Sequence, residues 1–183
     1  MMALHDTDER ADARSILLAS PGRSPEIPES ADIYGWLVGS WELEILTYWT
    51  DVSARGLKAE AHFGWALEGR AIQDVWIMPR VADRNGPPDK KMNMYGTTLR
   101  VWDPSIQAWR ITWINPAGDH YEQQIGRRVG QDVVQIGARP DGTTTRWTFS
   151  EITGDSFRWT GESLNSDGRT WKLEGDFRVR RMR

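Results

Sequence analysis

The residues of this chain that could carry out acid–base or metal chemistry are few and scattered. Histidine occurs only three times, as His5, His62 and His120, and cysteine is absent. None of the histidines has a partner at the spacing of a metal site, so the sequence predicts no metal centre. No nucleophile elbow, phosphate-binding loop or dinucleotide fingerprint occurs either. The sequence therefore carries no decisive catalytic signature.

Four side chains are nevertheless candidates for acid–base catalysis, namely Asp74, Glu151, His120 and Tyr121. Asp74 and Glu151 are expected to face the interior of the fold, where burial raises the pKa of a carboxyl group. His120 is predicted to be a solvated surface residue, and His62 is also predicted to lie on the outer face. If His120 turned inward, Asp119 or Glu122 could orient it as a general acid or base.

The elements that would position such groups are indicated by eleven tryptophans. Nearly all of them lie in short runs in which apolar and polar residues alternate, and a period of two places the rings of a run on one face of a strand. The expected inward-facing residues are Trp41, Leu43, Ile45, Trp109, Ile111, Trp113, Trp147, Phe149, Phe157, Trp159, Trp171, Leu173 and Phe177. So many rings predict an aromatic-walled cavity inside a closed sheet, with a dry, packed core as the alternative.

Turn signals divide the chain into ten predicted strands. They cover residues 40–49, 57–66, 70–78, 93–102, 107–114, 119–127, 132–138, 144–152, 156–163 and 170–179. The short connections favour antiparallel neighbours, and closing the sheet removes its two edges. The prediction is an all-β, ten-stranded, antiparallel up-and-down barrel over residues 31–183. A short helix over 33–38, capped by Asp32, plugs one end, and residues 1–30 form a flexible leader.

Loop lengths predict where a ligand would enter this barrel. Tight turns share the end that the short helix reaches, whereas the longest connection, residues 80–92, lies at the opposite end. Binding surfaces usually lie on the longer loops. Entry is therefore expected beside Pro87 and Pro88.

The predicted ligand-binding residues combine rings with a few polar groups. They are Trp49, Trp65, Tyr95, Trp113, Tyr121, Gln123, Trp147 and Trp159. Two strands are ambiguous, because 70–78 can turn either Asp74 or Val75 inward, and 119–127 is polar on both faces. Arg110, Arg146 and Arg158 fall on the outside by simple alternation. If a bulge reversed the alternation, they would form an anion clamp in the lumen.

The segment Trp36-Leu37-Val38-Gly39-Ser40-Trp41 resembles the start of a lipocalin-type (calycin) barrel, in which a short helix leads to a Gly-x-Trp motif, here Gly39 and Trp41. Strings beginning at Gly64, Leu99 and Arg146 resemble uncharacterised bacterial proteins of this class. The resemblance, over about 32–177, implies a hydrophobic or amphipathic small-molecule ligand. Nitrobindins and fatty-acid-binding proteins share the ten strands. Nitrobindins hold haem through a late-strand histidine, and this chain has none after His120.

Charge and composition exclude several kinds of partner. The net charge of −3 and the pI near 5.7 argue against nucleic acid and anionic membranes. The lack of cysteine, of a secretory signal and of a long apolar run predicts a cytoplasmic protein. Three functions remain open: a binding protein for a hydrophobic or amphipathic, flat molecule; an isomerase, cyclase or hydratase using the same cavity; and a filled-core interaction module, including a homodimer.

Overall fold

The computed structural model describes residues 19–84 and 93–183, which form an all-β barrel. Its strands are β1 Gly39–Tyr48, β2 Thr50–Asp51, β3 Lys58–Ala66, β4 Ala71–Met78, β5 Met94–Asp103, β6 Ala108–Asn115, β7 His120–Val129, β8 Asp132–Ala138, β9 Thr144–Ser150, β10 Ser156–Leu164 and β11 Trp171–Arg181. Apart from the two-residue β2, each strand pairs antiparallel with its chain neighbours, and β11 pairs with β1 to close the barrel. The predicted ten-stranded up-and-down barrel is confirmed.

Strict alternation decides which face of most strands is buried. On β1, Trp41, Leu43 and Ile45 are buried while Glu44 is exposed, as expected. On β4 the ambiguity is resolved in favour of Asp74, which is buried together with Ile72 and Trp76. The inner faces of β1 and β4 thus point at a common core.

The predicted N-terminal helix over 33–38 is wrong in type, because the segment forms 3-10 turns instead. They span Glu29–Ala31 and Gly35–Leu37, and the other 3-10 turns are Ser53–Arg55, Val81–Asp83 and Pro116–Gly118. Asp32 does cap the second turn, since its Oδ1 accepts the Gly35 N–H at 2.7 Å. Only a few residues separate Asp32 from the start of β1 at Gly39. A segment of this length is too short for a stable α-helix.

The segment before β1 seals one end of the barrel, called here the floor. Within it Trp41 Nε1 donates to the Leu37 carbonyl at 2.6 Å, and Trp109 Nε1 donates to the Ala31 carbonyl at 2.8 Å. The Arg181 guanidinium stacks on the Trp41 ring at 4.0 Å and donates to the backbone carbonyls of Trp36, Val38 and Gly154. Residues 19–30 of the expected leader also pack here, with Ile27 buried, whereas residues 1–18 lie outside the described residues.

The floor half of the barrel is filled by aromatic rings. Trp36 packs edge-to-face on Trp41 at 6.3 Å and on Phe157 at 5.2 Å between ring centroids, and Phe157 packs on Trp41 at 4.9 Å. Trp159, which reaches the cavity described below, stacks on Trp76 at 4.2 Å and on Trp147 at 4.3 Å. The packed-core alternative therefore holds for this half of the barrel interior, and the opposite end is called here the mouth.

Among the described residues, no helix is long and apolar enough to cross a bilayer.

Candidate functional site

A cavity of about 50 Å³ lies at the mouth end of the barrel. Its lining residues are Tyr48, Trp49, Met94, Thr98, Arg100, Trp113, Asn115, His120, Gln124, Gln135, Arg139, Trp147, Trp159, Glu174 and Phe177. Four of the eight predicted ligand-binding residues are among them: Trp49, Trp113, Trp147 and Trp159. Trp65 is buried in the hydrophobic core and is not among these lining residues.

Three predicted ligand-binding residues lie on the outer face instead. Tyr121 is 45% exposed, Tyr95 is 52% exposed, and Gln123 is exposed as well. On β7 the inward residues are His120, Glu122 and Gln124, the alternative that the polar character of both faces had left open. Hydropathy could not predict which face of β7 is buried, because both faces are polar. The polar residues on the buried face are tolerated there because hydrogen bonds inside the barrel satisfy most of them.

The alternative of an anion clamp in the lumen is wrong, because its three arginines all point outward as simple alternation predicts. Arg110 pairs with Asp103 at 2.6 Å, Arg146 with Glu162 at 2.7 Å and Arg158 with Asp176 at 2.9 Å. These ion pairs connect neighbouring strands on the outside of the barrel, where simple alternation places the three arginines. The arginines that reach the interior are Arg100 and Arg139, which sequence reasoning missed.

Glu151 also fails to face inward. It follows β9 in a turn with φ of 52°, and its side chain is largely exposed, 3.6 Å from Arg158. A left-handed residue at the end of a strand re-aims its side chain away from the face predicted by alternation. Of the two predicted inward carboxylates, the structure therefore places only Asp74 inside.

A bulge in β11 turns an unexpected carboxylate into the cavity. Gly161 of β10 pairs with Gly175, but Glu162 pairs with Leu173, so Glu174 is the extra residue. Glu174 is buried, accepts a hydrogen bond from Ser163 Oγ at 2.7 Å and forms an ion pair with Arg139. The inward orientation expected for Leu173 is wrong, since it is exposed, and Trp171 faces outward beneath Arg146.

Asp74 and Arg100 form a fully buried ion pair beside the cavity. Their side chains are 0% and 1% exposed. Asp74 Oδ1 also accepts the Thr98 N–H at 2.7 Å, and Arg100 Nε lies 3.4 Å from Gln135 Oε1. With its charge matched and its oxygens occupied, Asp74 is a structural group here rather than the acid–base residue that the sequence suggested.

A chain of hydrogen bonds runs from the floor to Glu122. Tyr34 donates to Gln135 at 3.1 Å, Gln135 to Gln124 at 2.7 Å, and Gln124 to Glu122 Oε1 at 2.6 Å. Thr145 donates to the same oxygen. Burial alone would raise the pKa of Glu122, but the nearby His120 and the hydrogen bonds from Thr145 and Gln124 outweigh it and hold the pKa below its ordinary value. The Glu122 carboxylate is thus kept charged inside the barrel.

His120 lies against the other oxygen of this carboxylate. Its Nε2 is 3.5 Å from Glu122 Oε2, and the imidazole is partly exposed in the cavity mouth. The two residues are two positions apart on β7, so both project from its inner face. No sequence motif predicts such a pair, because its geometry depends on which face of β7 is buried.

Four buried polar atoms find no hydrogen-bond partner within the described part of the chain. They are His120 Nε2, Glu122 Oε2, Arg139 Nε and Trp159 Nε1. Three of these residues line the cavity, and Glu122 lies directly against His120. A buried polar group without a partner is costly, and such groups in a native fold require an explanation. Their concentration at one cavity marks it as the candidate site.

Two glycines create the space for the rings on the cavity wall. A Cβ at Gly96 would lie 2.5 Å from Trp113 Cη2, and a Cβ at Gly161 would overlap the Trp147 ring. Each ring therefore lies flat across the neighbouring strand only because the residue beneath it has no side chain. These contacts fix the orientation of the two tryptophans.

Gly161→Ala is accordingly expected to lower the free energy of unfolding by about 1–3 kcal/mol, because the added methyl displaces the packed Trp147 ring. Near-ultraviolet circular dichroism should show a weakened signal from the Trp147–Trp159 stack, and urea unfolding gives the energy. Gly64→Ala is the matched control, since a Cβ there meets nothing within 4 Å. Equal effects from the two substitutions would contradict this account of Trp147.

Trp49 and Arg139 lie over the mouth of the cavity. Trp49 has a φ of 61° and is 43% exposed. Its ring lies 4.9 Å from the Arg139 guanidinium, and its backbone N–H donates to the Glu174 carbonyl at 2.7 Å. Pro87 and Pro88, the expected entrance, lie outside the described residues. The mouth contacts that the structure describes are those of Trp49, Arg139 and Glu174.

The residues of this interior do not fit a haem. His120 is directed at Glu122, and His62 lies on the outer face beside Glu60, so neither is placed as an axial ligand inside the barrel. Across residues 19–84 and 93–183, no three His, Cys, Asp or Glu side chains are grouped as metal ligands.

No protein-family model matches this chain, and none of the curated proteins matches it. The function has to be inferred from the geometry of the cavity.

Proposed function

We propose that this protein binds a small amphipathic molecule at the mouth of the barrel. The planar, apolar part of the ligand would lie against Trp113, Trp147 and Trp159, and its polar atoms would meet His120 and Arg139. The observation that carries this proposal is the set of four unpartnered buried polar atoms around one cavity. The resemblance of Gly39 and Trp41 to lipocalin-type barrels supports the same kind of ligand.

The energetics favour a ligand over a permanently closed core. Each buried polar group without a partner costs about 1–3 kcal/mol, and ligand atoms that pair with it recover that cost. An interaction module with a filled core would gain nothing from buried polar atoms that have no partners at the mouth of the barrel. The binding energy would therefore come from apolar contact with the rings together with the recovered hydrogen bonds.

The size of the cavity adds a condition on binding. A volume of about 50 Å³ is well below the roughly 150 Å³ of an apolar cavity that takes up benzene. A ring-sized ligand therefore requires displacement of side chains at the mouth. Trp49 is the natural one to move, because nearly half of its surface is already exposed. The lack of cysteine suits a reducing, cytoplasmic setting for such a protein.

Native mass spectrometry of the freshly purified protein is the direct test of an occupied cavity. A mass above that of the denatured chain identifies a retained ligand and narrows its class. The same protein can be titrated with 8-anilinonaphthalene-1-sulfonate, an aromatic anion whose fluorescence rises in apolar sites. Binding of neither kind would contradict the proposal.

Trp159→Phe and Trp109→Phe form a matched pair of variants, since each removes one indole N–H and the same ring volume. Trp159 Nε1 has no partner among the described residues, whereas Trp109 Nε1 bonds the Ala31 carbonyl. Trp159→Phe is expected to weaken ligand binding about tenfold, through one lost hydrogen bond, and Trp109→Phe to leave it unchanged. Urea unfolding should show the reverse order, with the larger loss of stability for Trp109→Phe. Equal effects on both readouts would contradict a ligand role for Trp159.

A further inference from the structure

We infer that His120 and Glu122 form a proton-transfer centre that acts on a planar carbonyl compound with an acidic C–H next to the carbonyl group. This inference rests on the proposed function, because the substrate must occupy the cavity that the ligand would occupy. It adds a reaction to binding and assigns that reaction to two named residues.

The first support is the way the Glu122 carboxylate is held. Its side chain is 0% exposed, and its Oε1 accepts hydrogen bonds from Gln124 and Thr145. Its Oε2 accepts none from the described residues and faces His120 Nε2 at 3.5 Å. A carboxylate against Nε2 favours the tautomer with hydrogen on that nitrogen, which leaves the lone pair on Nδ1. Glu122 is therefore placed to orient His120 as a base.

The second support is the distribution of charge inside the barrel. Asp74 is matched by Arg100, and Glu174 by Arg139. Within the described ranges, Glu122 pairs with no arginine or lysine, and the basic group beside it is His120. The negative charge of Glu122 lies 3.5 Å from His120 Nε2, where it can orient the imidazole. A carboxylate with a purely structural role would be better served by a permanently charged partner such as arginine.

The third support is a pair of hydrogen-bond donors that are unpartnered among the described residues and belong to two residues that line the cavity. Trp159 Nε1–H and Arg139 Nε–H are buried and have no acceptor in the described structure. Donors of this kind stabilise an oxygen on which negative charge develops during a reaction. The flat rings of Trp113, Trp147 and Trp159 exclude water and suit a planar substrate.

These groups together support enolisation. His120 takes the proton from the carbon beside the carbonyl group, and the C–H electron pair becomes the C=C bond of an enolate. The carbonyl electron pair moves onto oxygen, which Trp159 and Arg139 stabilise. The imidazolium then gives its proton to a carbon conjugated with the enolate, so that the double bond shifts. The product is an isomer of the substrate, and no other reactant is consumed.

5-Nitrobenzisoxazole is a suitable probe, because it is flat and carries one acidic C–H. When a base takes that proton, the C–H electron pair forms a nitrile, the N–O bond breaks and its electron pair stays on oxygen as a coloured phenolate. The full-length protein is expected to turn over this probe with saturation, faster than free imidazole at equal concentration. His120→Ala should lower kcat by at least about 100-fold, and added imidazole should restore part of the rate.

The remaining variants separate the roles of the residues. Glu122→Gln should lower kcat with little change in KM, as expected for a positioning residue. His62→Ala is the matched control, because His62 lies 3.9 Å from Glu60 in a similar pair on the outer face, and its kcat should be unchanged. If His120→Ala does not fold, as judged by circular dichroism, His120→Gln replaces it.

Quenching of tryptophan fluorescence by the same probe measures binding independently of turnover. Binding without turnover, or His120 variants that keep the full rate, would overturn the proton-transfer centre and leave the proposed binding function standing. Absence of both binding and turnover would count against both proposals. Loss of rate in His120→Ala without rescue by imidazole would show that His120 acts only structurally.

Discussion

Replacing Asp74 by Asn, or Arg100 by Met, is expected to lower the free energy of unfolding by about 3–5 kcal/mol. Each change removes one charge of a pair whose side chains are 0% and 1% exposed. The remaining charge would be buried without compensation, in a site whose low polarity weakens solvation. Urea denaturation followed by tryptophan fluorescence measures the loss. This large effect would identify the pair as the polar anchor of the barrel interior.

The double variant Asp74→Leu with Arg100→Met is the decisive control. Removing both charges together should cost much less than the sum of the single changes, because no unpaired charge remains. The surface pair Asp103 and Arg110, in which the arginine side chain is 61% exposed, gives the comparison. Its single substitutions should cost about 1 kcal/mol or less. Additive losses at Asp74 and Arg100 would contradict the strong coupling inferred from their burial.

Tyr34→Ala is expected to cost about 3–5 kcal/mol, a loss comparable to that of other large aromatic residues deleted from a core. Tyr34 is fully buried and packs edge-to-face on Trp109 at 5.3 Å and on Phe149 at 6.2 Å. Its hydroxyl begins the hydrogen-bond chain through Gln135. Tyr34→Phe keeps the ring and removes only that hydroxyl, so it should cost about 0.5–1.5 kcal/mol. A similar loss in both variants would mean that the hydroxyl matters more than the ring.

The two Tyr34 variants also differ in their dependence on pH. Burial raises the pKa of Tyr34 far above its ordinary value, against an opposing effect of Arg100. Above a pH of about 10 the unfolded chain loses this proton while the folded protein keeps it, so stability falls as the pH rises. Tyr34→Phe should remove the part of the alkaline decrease in the free energy of unfolding that Tyr34 causes. The part caused by Tyr48, whose pKa is also raised by burial, should remain. An unchanged slope between pH 9 and 11 would contradict the burial of the Tyr34 hydroxyl in solution.

Both sets of variants act on the interior network that ends at Glu122. Gln135 contacts Arg100 at 3.4 Å and Tyr34 at 3.1 Å, and it donates to Gln124. Gln124 in turn donates to Glu122. Milder variants such as Tyr34→Phe therefore also test whether the floor of the barrel helps to orient the residues at its mouth.

The sequence by itself determined the strands, their order and most of their inner faces. Turn residues and apolar alternation are local signals, and ten of the observed strands lie within a few residues of the predicted ones. On β1, β9 and β10 the buried residues Trp41, Phe149 and Trp159 are those that alternation selects. For these strands a hydrophobic inner face opposes a polar outer face, so the local pattern and the tertiary structure agree.

Only the tertiary structure decided the polar part of the site. His120 and Glu122 face inward because Gln124, Gln135 and Thr145 on the adjacent strands β7, β8 and β9 supply hydrogen bonds inside the barrel, a condition that no local pattern expresses. Glu174 enters the cavity through a bulge defined by the pairing of two strands. Arg100 is buried because Asp74 lies on the neighbouring strand. A polar side chain can be inside only when its partners are there as well, and those partners meet only when the strands pair in the folded sheet.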